Sequence, residues 1–364
     1  MVSIILAGGG SAGHISPMVA TAEALRAADP SVTLACVGTP KGIEATVVPR
    51  AGLDLTFIPA VPFPRALNLD LLTMPGRLAG AVMAAGRILK KRKAQVVVGF
   101  GGYASLPVYL AAKSMRIPVV VHEQNPLPGL ANRIAARFAD RVCVSFRGTP
   151  LPKGEYVGLP VRAAISELDR SALRATARRG FGLPSTGPVL LVSGGSQGAA
   201  SINRALDGAM SDLLAAGVSI LHVLGPKNMT PTIFPRTDVG VGAVYEPVAY
   251  VNQMELAYAA ADLMVGRSGA GTVVETAIVG LPGIFVPLPH GNGEQARNAT
   301  SLVEAGGCVL IPDRELTAAR LRDEVLRIIQ HEDVLTRMAA AGRGIVPADA
   351  ARRVAAIVLE AARR

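Results

Sequence analysis

The chain has 364 residues, of which 50% are hydrophobic and 18% are charged. This composition excludes an intrinsically disordered chain and provides enough apolar residues for two domains of ordinary size. All of the net charge of +10 lies in the first half, because residues 1–162 contain 18 Lys and Arg against 8 Asp and Glu, whereas the remaining residues contain 19 of each. A basic half favours an anionic partner, either a nucleic acid or an anionic membrane surface.

Cysteine usage and the apolar runs exclude several other classes of protein. Cys36, Cys143 and Cys308 each lie in an apolar run, which predicts buried thiols in a reducing compartment rather than disulfides or a metal site. The N-terminal residues 1–6 lack a basic segment and predict a first strand rather than a signal peptide. The uncharged run over residues 96–112 is interrupted by glycines and a proline, so we expect no transmembrane helix.

The first predicted element is a strand over residues 2–7, followed by a glycine-rich turn over residues 8–14 and a helix that ends near Ala28, with Pro17 in its first turn. A strand followed by a glycine-rich turn and a helix is, by itself, only weak evidence for a nucleotide site. A dinucleotide site would need an acidic residue after the second strand. Residues 32–37 are instead followed by Gly38 and Thr39, which argues against NAD. The chain also lacks the phosphate-binding loop of P-loop kinases.

Residues 63–93 combine apolar and basic side chains, and two interpretations remain open. The segment is either an amphipathic helix packed on the sheet with a solvated basic end, or a surface that rests on an anionic bilayer. The basic charge of the first half favours the second interpretation. The side chains concerned are Leu67, Leu71, Leu72, Met74, Leu78, Val82, Met83, Ile88 and Leu89, with Arg65, Arg77, Arg87, Lys90, Lys91, Arg92 and Lys93.

Further strands are predicted over residues 95–99 and 118–121, and polar residues follow the second of them from His122 to Asn125. Polar residues after a parallel strand lie where α/β proteins bind ligands. His122 is interpreted either as a hydrogen-bonded structural histidine or as a functional one. Residues 141–145 are predicted to form the last strand of the first half, and the segment 158–162, marked by proline and glycine, to connect two domains.

The second half repeats the pattern of the first. A strand is predicted over residues 188–193, followed by a glycine turn over residues 194–198 that opens a helix. Two starts of this kind predict two Rossmann-like domains, each an α/β unit with a parallel sheet covered on both faces. Later helices are predicted over residues 251–260, 316–330, 333–341 and 347–364.

The most informative stretch is residues 261–298, which predict a strand, a glycine turn, a helix, a second strand and a polar loop that leads into another helix. Such a turn presents backbone N–H groups to an anion, and Arg267 adds a fixed positive charge. Glu275 can accept hydrogen bonds from two ribose hydroxyls, and Gln295 and Asn298 share a face at a helix start. Each residue alone has an ordinary structural explanation. Together, they predict a site for a nucleotide diphosphate that carries a sugar.

Several motifs in this order are similar to those of one family. The chain resembles the MurG family of bacterial peptidoglycan glycosyltransferases over essentially its whole length. The resemblance implies a GT-B fold, in which two Rossmann-like domains face a central cleft. The motifs are Gly9-Gly-Ser-Ala-Gly-His14, Gly101-Gly-Tyr103, His122-Glu-Gln-Asn125, Gly194-Gly-Ser-Gln-Gly198, Arg267-Ser-Gly-Ala-Gly-Thr-Val-Val-Glu275, and Gln295 with Asn298.

The resemblance also implies a reaction and a place for each substrate. Residues 1–161 with 346–364 would form the domain that binds the acceptor and the membrane, and residues 162–345 the domain that binds UDP-N-acetylglucosamine. The family transfers N-acetylglucosamine from this donor to the C4 hydroxyl of a muramoyl-pentapeptide on diphospho-undecaprenol. The product is the lipid-linked disaccharide of the cell wall, and the enzyme lies on the cytoplasmic face of the cell membrane.

Carried onto this sequence, the resemblance implies a set of contact residues. Leu159 departs from the asparagine that the family often has in the linker, and Glu294 replaces a glutamine found in some relatives. The implied contacts are Ser11, Ala12 and Gly13 with the acceptor diphosphate and donor sugar; Asn125 and Gln295 with N-acetylglucosamine; Arg162 and Ser196 with the donor phosphates; Val251, through its backbone, with uracil; and Ala270, Gly271, Thr272, Val273, Val274 and Glu275 around the donor, with Glu275 on the ribose.

An inverting transfer needs one direct displacement and a general base on the acceptor hydroxyl. We expect His14 to be that base, because a helix N-terminus depresses its pKa and keeps it neutral. The alternative is that His14 only orients a phosphate, and Glu123 is a reserve candidate for the base. Arg162, Arg267 and a helix N-terminus at Ser196 would stabilise the leaving UDP. The chain has no Asp-x-Asp triplet, so we expect no cofactor and no obligatory metal.

Three other functions remain as alternatives to this one. A UDP-sugar 2-epimerase can share the same architecture. A basic nucleic-acid binder is disfavoured, because aromatic residues make up only 4% of the chain and tryptophan is absent, which leaves little material for stacking on bases. An NAD-dependent oxidoreductase is disfavoured by Gly38 and Thr39. We therefore expect UDP-N-acetylglucosamine, the lipid-linked muramoyl-pentapeptide and an anionic membrane surface as partners, and no nucleic acid.

Overall fold

The computed structural model describes residues 2–61, 70–290 and 293–363, with the side chains of the third helix described from Thr73 onward. The chain divides into two compact units, residues 1–162 with 347–364 (unit 1) and residues 163–346 (unit 2). Phe63, Arg65 and Leu67, which belong to the predicted membrane-contacting segment, lie outside the described residues. Among the helices that are described, none is long and apolar enough to cross a bilayer.

Unit 1 is built on a seven-stranded sheet in the order β3-β2-β1-β4-β5-β6-β7, and all of its neighbouring strands are parallel. The strands in the described part of unit 1 are β1 (Ser3–Ala7), β2 (Thr33–Gly38), β3 (Asp54–Phe57), β4 (Val96–Gly99), β5 (Val119–Glu123), β6 (Arg141–Val144) and β7 (Gly154–Tyr156). The helices before the second unit are α1 (Ala12–Ala28), α2 (Glu44–Arg50), α3 (Asp70–Lys91), α4 (Ser105–Ser114) and α5 (Leu130–Ala135).

Unit 2 has a seven-stranded sheet in the order β10-β11-β9-β8-β12-β13-β14, in which only β10 runs antiparallel to its neighbour. Its strands are β8 (Val189–Ser193), β9 (Ser219–Val223), β10 (Arg236–Thr237), β11 (Val244–Val248), β12 (Leu263–Gly266), β13 (Gly283–Phe285) and β14 (Cys308–Leu310). Its helices are α6 (Ala163–Ser166), α7 (Arg170–Gly180), α8 (Ala200–Ala215), α9 (Met254–Ala260), α10 (Ala270–Val279), α11 (Glu294–Asn298), α12 (Thr300–Glu304), a 3₁₀ helix (Asp313–Glu315), α13 (Ala318–Ile329) and α14 (Glu332–Gly342).

The chain then returns to unit 1 with α15 (Ala350–Ala362). Val354 and Val358 of this helix are fully buried in the same apolar cluster as Met18 and Leu25 of α1. A second cluster on the opposite face of the sheet contains Leu89 of α3 together with residues of α4 and α5. Between these clusters, β4 and residues 4–7 of β1 are continuous runs of apolar residues, as expected for parallel sheets that are buried on both faces.

The α/β class with parallel sheets is confirmed, while several element bounds differ from the predicted ones. The strand β5 includes His122 and Glu123, so the polar residues begin inside the strand rather than after it. The strand β6 is followed by β7 and is therefore not the last of unit 1. Pro17 is the sixth residue of α1, because the helix already begins at Ala12. The three cysteines are buried and free.

Two helices of unit 2 are tied together by a buried arginine. The side chain of Arg178 on α7 is 1% exposed and donates to the carbonyls of Ala260, Ser185 and Gly187 at 3.0–3.1 Å. It also forms an ion pair with Asp262 at 3.0 Å, just before β12. Because an unpaired charge is costly in an apolar interior, this arginine fixes α7 against the segment that leads into the candidate site.

We expect Arg178→Met to lower the free energy of unfolding by about 3–5 kcal/mol, because it removes the buried arginine paired with Asp262 and takes this donor away from the carbonyls of Ala260, Ser185 and Gly187. The matched control is Arg174→Met, which removes a second arginine paired with Asp262, 2.7 Å away and 36% exposed. That change is expected to cost less than about 1 kcal/mol, as for most exposed ion pairs. Urea unfolding followed by circular dichroism measures the free energy of unfolding of both variants. An equal decrease in the two would contradict the structural role assigned to Arg178.

Candidate functional site

Four of the predicted site residues lie together where β1 leads into α1. Ser11 is the N-cap of the helix, and Ala12, Gly13 and His14 form its first turn. Ser11 and Gly13 are exposed, whereas Ala12 and His14 are half-buried. The first N–H groups of a helix lack acceptors within the helix, so this end presents donors and the positive end of the helix dipole.

The ring of His14 is held in one tautomer by the backbone. Its Nδ1 lies 2.9 Å from the carbonyl oxygen of Gly9 and 3.1 Å from the hydroxyl of Ser11. A carbonyl oxygen can only accept, so Nδ1 carries the proton of the neutral ring and Nε2 keeps a free lone pair. Burial lowers the pKa of His14 below its ordinary value, although the bond to Gly9 and the charge of Glu44 offset part of the effect. A neutral imidazole with a free Nε2 suits a general base.

A second pair of glycines lets the loop after β4 approach this turn. Gly101 and Gly102 have φ angles of +87° and +82°, a backbone conformation that residues other than glycine rarely adopt. A Cβ on Gly102 would lie 2.1 Å from the carbonyl oxygen of Gly9, and a Cβ on Gly101 would lie 3.4 Å from His14 Nε2. The absence of a side chain at Gly102 therefore lets the two turns approach each other, and its absence at Gly101 keeps the space beside Nε2 open.

Glu123, the reserve candidate for the base, fixes the loop after β5 instead. One of its oxygens accepts from the N–H of Asn125 at 3.0 Å, and the other from the N–H of Gly129 at 3.0 Å and the amide of Asn132 at 2.9 Å. The residue is 2% exposed, and burial raises its pKa while these hydrogen bonds lower it in part. Since both oxygens are engaged, we assign Glu123 to holding the half-buried Asn125 in place rather than to proton transfer.

His122 has the environment of a structural histidine. It is fully buried, its Nε2 lies 3.0 Å from the carbonyl oxygen of Gly158, and its Nδ1 lies 3.0 Å from the amide nitrogen of Gln124. Burial lowers the pKa of His122 to about 4, so the ring stays neutral near pH 7. Of the two interpretations left open by the sequence, the structural one is supported.

In unit 2, the turn over residues 194–198 leaves Ser196 exposed. The helix α8 begins at Ala200, so Ser196 precedes this helix and does not lie at its N-terminus, contrary to the prediction. Gly198 has a φ of +74°, and a Cβ there would lie 2.0 Å from the carbonyl oxygen of Leu224. The turn is therefore packed closely against the end of β9, with the Ser196 hydroxyl on its outer side.

The first turn of α10 supplies the other set of backbone donors in unit 2. It contains Ala270, Gly271 and Thr272, after the N-cap Gly269. The side chains of Val273 and Val274 are 3% and 0% exposed and face the interior. The helix register turns these two side chains towards the core, so any contact of Val273 and Val274 with the donor stays a prediction for their backbone.

Arg267 is already engaged by other groups of the chain. Its guanidinium donates to Asp313 at 2.5 Å, to the hydroxyl of Ser201 at 2.9 Å, and to the carbonyls of Val286 and Pro287 at 3.2 and 3.1 Å. These partners lie on the 3₁₀ helix, on α8 and after β13. We therefore assign Arg267 to bracing the starts of α8 and α10, in place of the direct contact with the diphosphate that the sequence predicts.

Glu275 lies in the middle of α10 rather than just inside its start, and it is half-buried. Its carboxylate accepts a hydrogen bond of 2.7 Å from the hydroxyl of Tyr258 on α9. Tyr258 is itself 2% exposed, and its backbone carbonyl accepts from Arg170 at 3.0 Å. Glu275 is thus oriented from behind by a fixed donor, which suits a carboxylate that binds a pair of hydroxyls.

Gln295 and Asn298 differ in their surroundings, although both belong to α11. The side-chain oxygen of the half-buried Gln295 accepts from the N–H of Leu288 at 3.0 Å, and its amide nitrogen remains as a donor. Asn298 is 2% exposed and donates to the carbonyl oxygen of Ser268 at 3.0 Å. Asn298 therefore anchors α11 to the turn before α10, and the predicted shared contact face is reduced to Gln295.

The remaining predicted contacts lie at the edges of these elements. Arg162 is half-buried and is the last residue of unit 1 before the chain enters unit 2. Val251 is 7% exposed and lies three residues before α9, so its backbone is the part that can contact a ligand. In the described ranges, no three His, Cys, Asp or Glu side chains lie close enough together to hold a metal ion.

Two side chains that support the site were missed by the sequence reasoning. Glu44 lies beneath the first glycine turn, where it accepts from the N–H of Gly10 at 3.0 Å. Tyr258 orients Glu275, as described above. Gly38 and Gly42 flank Glu44 closely, and such extra glycines around a helix start are the one sequence signal that points to a buried side chain there.

Comparison with known proteins gives full-length matches. Residues 4–144 match the glycosyltransferase family 28 N-terminal domain, and residues 189–354 match the C-terminal domain of the same family. Proteins named UDP-N-acetylglucosamine--N-acetylmuramyl-(pentapeptide) pyrophosphoryl-undecaprenol N-acetylglucosamine transferase are similar to this chain. The one from Cutibacterium acnes is 56% identical and covers 100% of this chain and 98% of its own, and the one from Nocardioides sp. is 51% identical and covers 98% and 97%. The crystal structure of Acinetobacter baumannii MurG aligns with a TM-score of 0.77 at 27% identity, over 99% of this chain and 100% of that one.

Proposed function

We infer the reaction from one premise: the chain belongs to glycosyltransferase family 28, and it has the GT-B fold. The protein is a glycosyltransferase of peptidoglycan synthesis. It transfers N-acetylglucosamine from UDP-N-acetylglucosamine to N-acetylmuramoyl-pentapeptide on diphospho-undecaprenol. The observation that carries this conclusion is the likeness at 56% identity, over the whole chain, to a relative named for that reaction.

We propose that the transfer is a single inverting displacement at the sugar, with the C4 hydroxyl of the acceptor as nucleophile. His14 Nε2 takes the proton of that hydroxyl as the new bond forms and the bond to UDP breaks. The hydrogen bond that holds the Nδ1 proton on Gly9 supports His14 in this role, and burial, which lowers the pKa of His14, favours the neutral ring. A neutral ring protonated at Nδ1 cannot donate from Nε2 to a phosphate, so this tautomer disfavours the phosphate-orienting alternative.

The donor is proposed to lie against unit 2. The backbone N–H groups of Ala270, Gly271 and Thr272, together with the Ser196 hydroxyl, can hydrogen-bond the diphosphate as its charge grows in the transition state. Glu275 would accept from the ribose hydroxyls and Val251 would contact uracil through its backbone. Arg162 would add a positive charge to the leaving group, and Asn125 and Gln295 would contact N-acetylglucosamine.

We propose that α3 contacts an anionic membrane surface and that the protein lies peripherally on the cytoplasmic face. Its inner face is occupied, because Ala81, Ala85 and Leu89 are buried, the last two in the apolar cluster on the sheet. Leu89 is thus excluded as a membrane-facing residue, and Val82 and Ile88 pack on the same cluster. The outer face exposes Met83, with 65% of its surface accessible, together with Arg77, Arg87, Lys90 and Lys91. An exposed methionine among basic side chains suits a headgroup boundary.

The reaction is tested by incubating the protein with labelled UDP-N-acetylglucosamine and lipid-linked muramoyl-pentapeptide. We expect the label to appear in a lipid-linked disaccharide. Release of free N-acetylmannosamine would identify the 2-epimerase alternative instead. If the donor is not consumed, the nucleic-acid-binding alternative remains, and it predicts RNA binding that weakens steeply with salt.

We expect His14→Ala to reduce kcat by about 10²–10⁴-fold, the usual contribution of a positioned general base. The affinity for UDP, measured by calorimetry, should change little, because His14 is not proposed to contact UDP. His331→Ala, at an exposed histidine beside α14, serves as the matched control and should keep the wild-type kcat. An unaltered kcat in His14→Ala would remove the histidine from the mechanism.

We expect the triple change of Arg87, Lys90 and Lys91 to Gln to weaken binding to anionic vesicles by about 100-fold, since each basic residue near such a surface contributes about 1 kcal/mol. Sedimentation with phosphatidylglycerol vesicles measures the effect. The control carries the same charge change in unit 2, at the exposed residues Arg314, Arg320 and Arg337. Equal binding by the two variants would refute α3 as the contact.

A further inference from the structure

A single peptide group connects His14 to a buried carboxylate. The carbonyl oxygen of Gly9 accepts from His14 Nδ1 at 2.9 Å. The N–H of the same peptide group, which belongs to Gly10, donates to Glu44 Oε2 at 3.0 Å. The histidine and the glutamate therefore hydrogen-bond to the two ends of one amide, and neither contacts the other directly.

Glu44 is enclosed by its surroundings. It is 0% exposed, and its other oxygen accepts from the N–H and the hydroxyl of Thr39 at 2.9 and 2.7 Å. A Cβ on Gly9, Gly38 or Gly42 would lie 2.5, 2.6 or 1.9 Å from the nearest atom of the Glu44 side chain. Three glycines thus make the space that this one carboxylate fills, and they fix its position beneath the turn.

The carboxylate of Glu44 carries its charge in the folded protein. Burial raises the pKa of Glu44, but the hydrogen bonds from Gly10 and Thr39 outweigh that effect and leave the pKa below its ordinary value. An ionised acceptor makes a stronger hydrogen bond than a neutral one. It also polarises the amide, which concentrates negative charge on the Gly9 oxygen and strengthens the next bond along the chain, to His14.

We propose that Glu44 is a positioning residue for the transfer: through the Gly9–Gly10 peptide group it holds His14 with Nδ1 protonated and Nε2 free, and it stabilises the imidazolium that forms during the reaction. The proposal rests on the role given to His14 under Proposed function. The proton of the acceptor hydroxyl moves to Nε2, the Nδ1 proton stays on Nδ1, and Glu44 stays ionised throughout. The logic is that of a carboxylate behind a catalytic histidine, with an amide interposed.

Other groups near His14 do not replace this charge. The Ser11 hydroxyl, 3.1 Å from Nδ1, is neutral. The amide of Asn132 would lie 3.3 Å from a Cβ on Gly101, close to the His14 ring, and it is neutral as well. The nearby carboxylate of Glu123 is engaged by the Asn125 loop, as described above. Glu44 is the charged group whose field acts to raise the pKa of His14 against the effect of burial.

The geometry also bears on what the first glycine turn can bind. The N–H of Gly10 is used by Glu44 and is not available to a phosphate. A buried negative charge beneath the turn disfavours a second full negative charge directly above it. The same charge favours a histidine that becomes positive in the transition state. The His14 side chain is accordingly suited to proton transfer, and the exposed residues Ser11 and Gly13 remain for binding an anion.

The test compares Glu44→Gln with the wild type in the full chain. Nitrogen NMR of histidine-labelled protein reports the tautomer and pKa of His14, and His14→Gln identifies its signals among those of the five histidines. We expect the pKa of His14 to fall and kcat to fall by about 10–100-fold, the range found when the partner behind a working, metal-bound histidine is removed. KM for UDP-N-acetylglucosamine should not change, and the acid limb of the kcat/KM profile should move to lower pH with the NMR pKa.

Thr39→Val is the matched control, because it removes a hydrogen bond from the other oxygen of Glu44 while the charge remains. It is expected to change the His14 pKa far less than Glu44→Gln. If Glu44→Gln does not fold, Glu44→Asp is used instead, because its side chain is one methylene shorter and moves the carboxylate away from Gly10. It should lower the His14 pKa and kcat in the same direction, but by less. An unchanged His14 pKa and tautomer in a folded variant would overturn the proposal. A lowered pKa with an unchanged kcat would instead uphold the coupling and refute His14 as the base.

Discussion

The hydrogen bond between the His14 ring and the Gly9 carbonyl decides what the turn after β1 can do chemically. It fixes the proton on one nitrogen and leaves the other as a base. The bond requires the turn to curl back over the helix start. That curl in turn requires glycine at position 102, where a Cβ would meet the Gly9 carbonyl oxygen, and at position 9, where a Cβ would meet the Glu44 side chain. The position of the His14 ring thus depends on residues whose contribution is the absence of a side chain.

The two units support their glycine turns with charges of opposite sign. In unit 1, the anionic Glu44 lies beneath the turn and takes one of its N–H groups. In unit 2, the cationic Arg267 lies behind the turns and is neutralised by Asp313, with two carbonyls of the segment after β13. The negative charge beside α1 favours a group that becomes a cation. Beside α10, the backbone N–H groups at the helix start carry the positive partial charge, because the charge of Arg267 is compensated.

The α/β class and most strand–turn–helix starts could be predicted from the sequence, because apolar runs and glycine turns are local signals. The sequence could not show which hydrogen-bond donors remain free to bind a ligand. Arg267 and Asn298 are ordinary ligand candidates by type, but their partners Asp313 and Ser268 are 46 and 30 residues away. Glu44 was missed for the same reason, since an acidic residue in the first turn of a helix usually only complements the dipole. The assignment of acceptor and donor to the two units stays a prediction.

The return of α15 to unit 1 has a consequence for synthesis on the ribosome. Unit 2 is continuous in sequence, so all of its elements have emerged before α15 is made. The face of α1 that holds Met18 and Leu25 stays without Val354 and Val358 until then. Domains generally fold as units in the order in which they are translated. Here the half that begins first is completed last, so its nascent form must keep an apolar groove open while the whole of the other half folds.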